Sequence, residues 1–521
     1  MRTEAKRKVL LLGLALALSG CLKSFEYKQP EVKLNEQWSL RGATGVTAQE
    51  YEAAWWRAFD DATLDQLIET AHHQNLLLQT AGVRIYEARA QLALAVGRKY
   101  PQVQEMFASA AAVGLSKHAA NSAFADRNFG DYQVGFDAEW EPDFWGRYRG
   151  EIRAETAQHL ATLADYDNAL VSLNAEIART YAVIRTFETL LQQSRANVTL
   201  QEEGLRIADA RYRHGATSEL DVHQATTLLE STRATIPQLE ISLVQARNAM
   251  ASLLGQPPGS VDGMLAASKG IPTAPADVAV GVPAELLRRR PDIRKQELLS
   301  MAQGERIGVA RADLYPRFSL FGEIGLQTST GAGTLANDAN LSDLFKGSSI
   351  FYSFGPRLVW PILHYGRIKN NIRIQDARFQ EQLVEYQNSV LEAAHEVEDG
   401  LVGYLKSQEA TVFAEKAAAA AQRSADLAMV QYREGAVDYQ RVLDAQRSLL
   451  QEQINLTESR SAIATNLIAL YKAMGGGWEL RQYTPVVPDA IREEMGQRTD
   501  WGDLLSEPPP ETSTTSSPGE R

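Results

Sequence analysis

Cys21 is the residue whose type and position most clearly predict a chemical modification of this chain. It is the only cysteine among 521 residues, so it cannot form an internal disulfide. It follows Leu18-Ser19-Gly20 at the end of an apolar run that a basic segment precedes. We therefore predict that residues 1–20 are a secretory signal and that the Cys21 thiol is acylated, as in a bacterial lipobox. An ordinary signal peptide with an incidental cysteine is the alternative.

The remaining residue types that could do chemistry do not form a recognisable catalytic or metal-binding set. His395-Glu396 lacks the second histidine of a zinc-binding helix, and His72-His73 is predicted to lie on a solvated helix. No phosphate-binding glycine-rich loop with Lys and Ser/Thr occurs, and no Ser/His/Asp set stands out. The sequence therefore predicts no enzyme, no cofactor and no metal site.

The charge balance narrows the class of partner. The chain has a formal charge of −12, and removal of residues 1–20, which carry a net +3, would leave −15. An acidic chain without a basic block is not expected to bind nucleic acid. After Cys21 no apolar run approaches 18 residues, so a crossing of the bilayer would require a closed β-barrel. Leu22, by resemblance to other lipoproteins, points to the lipid of the outer membrane.

The chain is an internal duplication with a constant offset of 220 residues. Paired tryptophans and glycines at one offset are hard to obtain by chance; examples are Gly135/Gly355, Trp140/Trp360, Gly146/Gly366, Tyr212/Tyr432 and Gly215/Gly435. We predict a first structural repeat at residues 21–255 and a second at 284–480. Residues 256–283 would link the repeats, and residues 481–521 would be a largely disordered tail.

Each copy is predicted to hold one β-hairpin and one long helical hairpin. Apolar and polar residues alternate within 102–140 and 317–360, which is typical of amphipathic strands. A proline stands at the helix-side end of each strand: Pro101, Pro142, Pro316 and Pro361.

The helical hairpins are predicted to be unusually long. Apolar residues recur in steps of three and four over about 65 residues in each copy, which predicts a coiled-coil seam and a length of roughly 100 Å. The hairpins would turn near Gly215 and Gly435, and Ser218 and Asp438 would cap the returning helices.

Four strands from one chain cannot close a barrel, because small barrels need about eight. Subunits must therefore pool strands: two chains would give eight strands, and three would give twelve, wide enough for a pore. The predicted fold class is an α+β membrane protein in which a pooled barrel is continuous with a helical tube.

Four stretches carry a resemblance to TolC/OprM/NodT-type outer-membrane efflux factors. They are WWRAFDDATLDQLIETAHHQN at residue 55, EWEPDFWGRYR at 139, LLRRRPDIR at 286 and YREGAVDYQRVLDAQRSLL at 432. The resemblance implies a homotrimer with a 12-stranded β-barrel and a 12-helix periplasmic α-barrel. It also implies a passive exit duct served by a periplasmic membrane-fusion adaptor and an inner-membrane pump, most often of the resistance-nodulation-division type.

The resemblance places the functional residues at the two hairpin tips. Asp444 matches the aspartate of the family's LDAQ motif, which forms a ring of three carboxylates, with a solvated helix position as the alternative. Gln440 stands where the family often has leucine, and Arg441 and Tyr439 are candidates for closing contacts. Asp221 has capping-box spacing from the N-cap, so helix capping and a pore role both stay open. The adaptor is expected to contact the tip residues Gly215, Ala216, Gly435 and Ala436.

Two other functions remain open from the sequence. One is the exit channel of a type I protein-secretion system, which would share this architecture. The other is a coiled-coil structural lipoprotein without a channel, although that protein would not need four amphipathic strands framed by prolines.

Overall fold

The computed structural model describes residues 26–35, 38–39, 46–47, 53–118, 127–267, 270–279, 288–330, 340–479, 481 and 485–506. The signal segment and Cys21 lie outside these residues. The chain divides into two compact units, which are described separately. The first comprises residues 87–160 and 297–384 with the N-terminal segment to residue 29, and the second comprises 30–86, 161–296 and 385 onward.

A four-stranded antiparallel sheet dominates the first unit. Its strands are β1 (Val103–Gly114), β2 (Asn128–Trp140), β3 (Arg317–Thr330) and β4 (Ile350–Val359). The spatial order is β1-β2-β3-β4, so the two hairpins lie side by side and β1 and β4 form the edges. The sheet bounds fall within a few residues of the alternation in the sequence.

The strand register places apolar and polar residues on opposite faces of the sheet. One cross-strand row contains Met106, Phe136, Ile324 and Tyr352, whose exposed fractions lie between 56 and 69%. The adjacent row, on the other face, contains Glu105, Asp137, Glu323 and Ser353. Because successive side chains of a strand point to opposite faces, the sheet has one apolar face, and none of the described residues covers the row from Met106 to Tyr352.

The long helices of the second copy match those of the first at the same offset of 220 residues. The helices are α1 (Ala62–Gln74), α2 (Leu76–Gly97), α3 (Arg147–Arg213), α4 (Glu219–Leu253), α5 (Asp262–Leu265), α6 (Pro291–Ala312), α7 (Arg367–Arg433), α8 (Tyr439–Ala473) and α9 (Asp489–Arg498). Every bound of α7 and α8 lies 220 residues after the matching bound of α3 and α4. Among the described residues, no helix combines the length and apolar character required to cross a membrane.

The coiled-coil seam supplies much of the core of the second unit. On α3 the seam residues from Tyr166 to Ile184 are buried, and on α7 those from Tyr386 to Tyr404 are buried as well. The α3 residues and the later α7 residues, Val397, Leu401 and Tyr404, pack with Trp55, Leu67 and Leu467 in one cluster. The earlier α7 residues, Tyr386, Val390 and Ala393, form a separate cluster with Ile293. Since burial of a large aliphatic side chain stabilises by about 1.5–3 kcal/mol, this narrow seam is sufficient to hold the long helices together.

The segments between and after the repeats are more ordered than the sequence suggests. In the linker 256–283, Val278–Ala279 pairs in parallel with Val46–Thr47. The predicted disorder of residues 481–521 is wrong for 485–506, because this segment contains α9. Met495 of α9 and Val487 are buried against Tyr86 of α2. A few apolar residues in a polar, proline-rich tail therefore suffice to dock a short helix.

Candidate functional site at the helical hairpin tips

The two hairpin turns have the same backbone geometry. Gly215 and Gly435 adopt positive φ values of 72° and 75°, which glycine tolerates without strain. The Ala216 N–H donates to the Arg211 carbonyl oxygen at 2.8 Å, and the Ala436 N–H donates to the Gln431 carbonyl oxygen at 2.8 Å. These are the bonds of a Schellman helix end, and all four Gly and Ala residues are exposed.

The returning helices begin differently in the two copies. The Asp438 carboxylate accepts from the Arg441 N–H at 3.4 Å, so this predicted N-cap is formed. Ser218 occupies the N-cap position of α4, but its side chain makes no capping hydrogen bond. Asp221 is not used in a capping box; its carboxylate accepts hydrogen bonds from Thr217 and from Tyr432. The sequence left helix capping and a pore role open for Asp221; its carboxylate is bonded to Thr217 and to the second hairpin, and the pore role stays a prediction.

Tyr432 joins the second hairpin to the first. Its hydroxyl donates to Asp221 Oδ2 at 3.1 Å. The Arg211 guanidinium lies 4.6 Å from the centre of the Tyr432 ring and also donates to the Tyr432 carbonyl oxygen. Burial raises the pKa of Tyr432 to about 12, and the nearby Asp221 carboxylate acts in the same direction. The hydroxyl therefore remains protonated and can donate at physiological pH.

Tyr439 lies behind this contact, inside a small core at the tips. It is 1% exposed, and its ring meets that of Tyr432 edge-to-face at 5.1 Å. Burial raises the pKa of Tyr439 above its usual range. Its cluster draws on all four long helices, with Ile207 from α3, Leu228 from α4 and Val442 from α8 among its members. Tyr439 thus makes contacts between helices of its own chain.

Gln440, Arg441 and Asp444 are all exposed on α8. Gln440 Nε2 donates to Asp444 Oδ1 at 2.8 Å, one helical turn away, and Gln440 Oε1 accepts from Gln224 of α4 at 3.3 Å. Gln440 therefore links Asp444 to the first hairpin, which a leucine at this position would not do. The Gln440 amide orients the Asp444 carboxylate on an exposed helix face.

The sequence alone did not point to Arg211, Thr217, Gln224 or Tyr432 as site residues. A usable signal existed for three of them, because the two copies diverge in chemistry at matched positions of the tips. Divergent pairs at the offset of 220 include Arg211/Gln431, Thr217/Val437, Leu220/Gln440, Asp221/Arg441 and Gln224/Asp444, whereas Tyr432 matches Tyr212. Since both turns share one backbone geometry, these changes reflect different surroundings of the two hairpins.

The residues that the sequence raised as metal ligands, His72 and the His395-Glu396 pair, make contacts with other side chains. His72 Nε2 lies 2.6 Å from Asn174 Oδ1, and burial lowers the pKa of His72. Glu396 forms an ion pair with Arg290 at 2.8 Å. Across the part of the chain that the structure describes, no group of three or more His, Cys, Asp or Glu residues could hold a metal ion.

Long paired hairpins that meet at polar tips, with an amphipathic four-stranded sheet, define the class of outer-membrane channel proteins. Residues 67–256 and 282–476 match the family described as Outer membrane efflux protein. The chain belongs to this family, whose members are channel proteins rather than enzymes, and the TolC-type resemblance of its motifs is confirmed.

Individual relatives cover nearly the whole chain. The cation efflux system protein CusC of Escherichia coli is 30% identical over 474 residues, covering 91% of this chain and 99% of CusC. The outer membrane protein OprJ of Pseudomonas aeruginosa is 31% identical over 489 residues, covering 90% and 96%. The solved structure of the outer-membrane channel OprN superposes with a TM-score of 0.81 at 30% identity, covering 88% of this chain and all of OprN. This chain is an outer-membrane efflux channel of a tripartite system, with a periplasmic extension.

Proposed function

We propose that three copies of this chain form one channel by pooling their sheets into a 12-stranded β-barrel. The sheet supports this proposal because β1 and β4 are edges, and open edges are not tolerated in lipid. The apolar row from Met106 to Tyr352 would face the lipid, and the acidic row from Glu105 to Glu323 would face the lumen. The observation that carries the proposal is this two-faced sheet with two unpaired edges.

The helical hairpins would continue the barrel as a tube. Each chain supplies α3, α4, α7 and α8, so three chains supply twelve helices to a periplasmic α-barrel. The seam residues hold these helices together within each chain. The tube would end at the two hairpin tips, where the resting channel would be narrow.

The tip contacts support a gate with two parts. Threefold symmetry would bring three copies of Asp444 around one axis, where each carboxylate is oriented by Gln440. A ring of carboxylates selects for cations and binds multivalent cations. The bond between Tyr432 and Asp221 would act as a latch, because it ties the second hairpin to the first and must break if the second hairpin moves alone.

Arg441 would take part in closure between subunits. It is exposed on α8 beside Gln440, whereas its counterpart in the first copy is the acidic Asp221. Tyr439 would contribute indirectly, because it forms the buried base on which Tyr432 packs.

The partners follow from the position of the tips. The exposed residues Gly215, Ala216, Gly435 and Ala436 present small side chains that a periplasmic adaptor could approach closely. An inner-membrane pump, of the resistance-nodulation-division type, would load substrate through that adaptor, and the channel would act as a passive exit duct. Relatives of equal identity are named for the efflux of cations and of toluene, so similarity at this level does not identify the cargo.

Assembly and conduction test this proposal together. Detergent-extracted protein should have the mass of three chains, and it should form discrete conducting pores in planar bilayers. A stable folded monomer with native strand content would contradict the pooled barrel. A trimer that never conducts would favour a structural lipoprotein without a channel.

A further inference from the structure

The turn that follows β4 exposes an apolar surface in the first unit. Between β4 and α7, four side chains have exposed fractions of 53, 73, 78 and 94%: Trp360, Ile362, Leu363 and Tyr365. Tyr365 also holds a positive φ of 45°, which is uncommon for a residue with a side chain. We name residues 360–366 the second-copy turn.

In the equivalent turn of the first copy, residues 140–146, Trp145 packs on the second copy of the same chain, while Phe144 is 53% exposed. Trp145 stacks on Tyr315, with ring centres 4.7 Å apart and an angle of 23° between the planes. Trp145 Nε1 also donates to the Pro316 carbonyl oxygen at 2.7 Å. Phe144 adds an edge-to-face contact with Phe318 at 5.6 Å. The turn after one hairpin thus packs on the junction between helix and strand that begins the next hairpin.

The counterpart of that junction in the first copy is the segment at Tyr100. Trp140 Nε1 donates to the Lys99 carbonyl oxygen at 3.4 Å, and Trp360 Nε1 donates to the Leu314 carbonyl oxygen at 3.1 Å. Lys99 and Leu314 are therefore equivalent, and each is followed by Tyr-Pro. Tyr100 is 64% exposed, so within one chain it remains open to a partner.

We propose that the second-copy turn docks on a second copy of this chain, with Tyr365 stacked on Tyr100 of the neighbouring copy. This inference rests on the proposed trimer. The 220-residue offset makes Tyr365 the counterpart of Trp145. The matching hydrogen bonds of Trp140 and Trp360 to the residues before Tyr100 and Tyr315 make Tyr100 the counterpart of Tyr315. The ring stacking between chains would therefore repeat the ring stacking within the chain.

The strand register agrees with this arrangement. Trp140 pairs with Leu320, three residues after the start of β3. Counted from the strand starts, the same relation places Trp360 opposite Met106 of the neighbouring copy, although Met106 lies six residues after Tyr100 and Leu320 only five after Tyr315. Met106 and Trp360 would then share the apolar face of the sheet, as Trp140 and Leu320 do.

The ion pair of the intrachain contact is not repeated between copies. Arg147 lies 3.7 Å from Asp313 within the chain. The counterpart of Asp313 is Arg98, which pairs with Glu151 of its own chain. The contact between copies therefore depends on its aromatic residues, which makes Tyr365 and Tyr100 the residues to test.

The test is a thiol crosslink between positions 100 and 365. These positions adjoin opposite edges of the sheet, so a link between them must join two chains. The Tyr100→Cys/Tyr365→Cys variant, treated in membranes with a short bifunctional thiol reagent, should yield covalent dimers and trimers under denaturing conditions. Trp145→Cys/Tyr315→Cys is the matched control and should link only within the chain. Each single variant and the wild type, whose one cysteine is Cys21, should remain uncrosslinked between chains.

A second measurement covers the case in which the cysteine variant misassembles. Tyr365→Ala should release monomers at a lower temperature than wild type does. Tyr365→Trp, which keeps an aromatic ring at this position, should release monomers at the wild-type temperature. If wild type is trimeric and the control pair links, but positions 100 and 365 do not, the stacking is wrong and the trimer stands. If wild type is monomeric, both this inference and the proposed function fail.

Discussion

The Tyr432 hydroxyl donates a hydrogen bond to Asp221 Oδ2 at 3.1 Å, and this bond connects the second helical hairpin to the turn of the first. The duplication shows that the bond is not a general feature of the turn. Tyr212, the counterpart of Tyr432, is 42% exposed, and the counterpart of Asp221 is Arg441. Each chain therefore carries this contact once, beside the exposed Gln440 and Asp444.

Removal of the Tyr432 hydroxyl should favour the open channel. Tyr432→Phe keeps the ring over Arg211 and Tyr439 but deletes the donor to Asp221. A hydrogen bond to a charged group contributes roughly 1.5 kcal/mol or more, so we expect open probability to rise about tenfold. Single-channel recording and the uptake of bulky antibiotics by cells would measure the change.

Tyr212→Phe is the matched control for this prediction, since it deletes an exposed hydroxyl at the same turn of the first hairpin. It should behave as wild type does. Equal open probability for Tyr432→Phe and wild type would show that the Tyr432 bond does not restrain the gate.

A buried carboxylate in the second unit should make stability depend on pH. Burial raises the pKa of Asp167 from 3.8 to about 6, although Arg481 pairs with it at 2.6 Å. Because the folded-state pKa is raised, the stabilising contribution is complete below pH 3.8 and is lost as pH rises through about 6. A shift of this size corresponds to roughly 3 kcal/mol at most.

Asp167→Asn removes the titration, so its melting temperature relative to wild type should rise between pH 4 and pH 7. Thermal unfolding at a series of pH values would measure this difference. A difference that stays constant across the range would mean that the Asp167 pKa is not raised in the folded protein.

The sequence predicted the elements well because the duplication constrains them twice. The ends of two strands were predicted from the pair Trp140/Trp360, and both helical turns from the pair Gly215/Gly435. The coiled-coil seam from Tyr166 onward is buried, as its spacing predicts. The contacts between hairpins could not be predicted, because they depend on which of two similar tyrosines is buried. Tyr212 and Tyr432 look alike in the sequence, yet only Tyr432 meets Arg211 and Asp221.

The C-terminal helix α9 shows a second limit. Its sequence is polar, and Met495 packs in a cluster that includes Val83 and Tyr86, some 400 residues earlier in the chain. Local composition therefore favoured disorder, whereas a long-range packing site decided the structure.

The lipid anchor at Cys21 remains a prediction from the sequence, since this residue lies outside the described part of the chain. Mass spectrometry of the mature N-terminus should find an acylated Cys21 as the first residue. Cys21→Ser should abolish acylation and stall or shift signal processing, while assembly of the barrel continues. An unmodified Cys21 in the wild-type protein would contradict the anchor.

The gate at Asp444 is tested most directly by single-channel recording of wild type and Asp444→Ala across a salt gradient. Three carboxylates on one axis should make the resting pore prefer cations, and multivalent cations added from the periplasmic side should block it. We expect Asp444→Ala to shift the reversal potential towards zero and to weaken the block by about tenfold or more, since the ring provides the charge that binds the cation. Identical reversal potentials and identical block in the two proteins would show that Asp444 faces away from the pore, and would contradict the proposed gate.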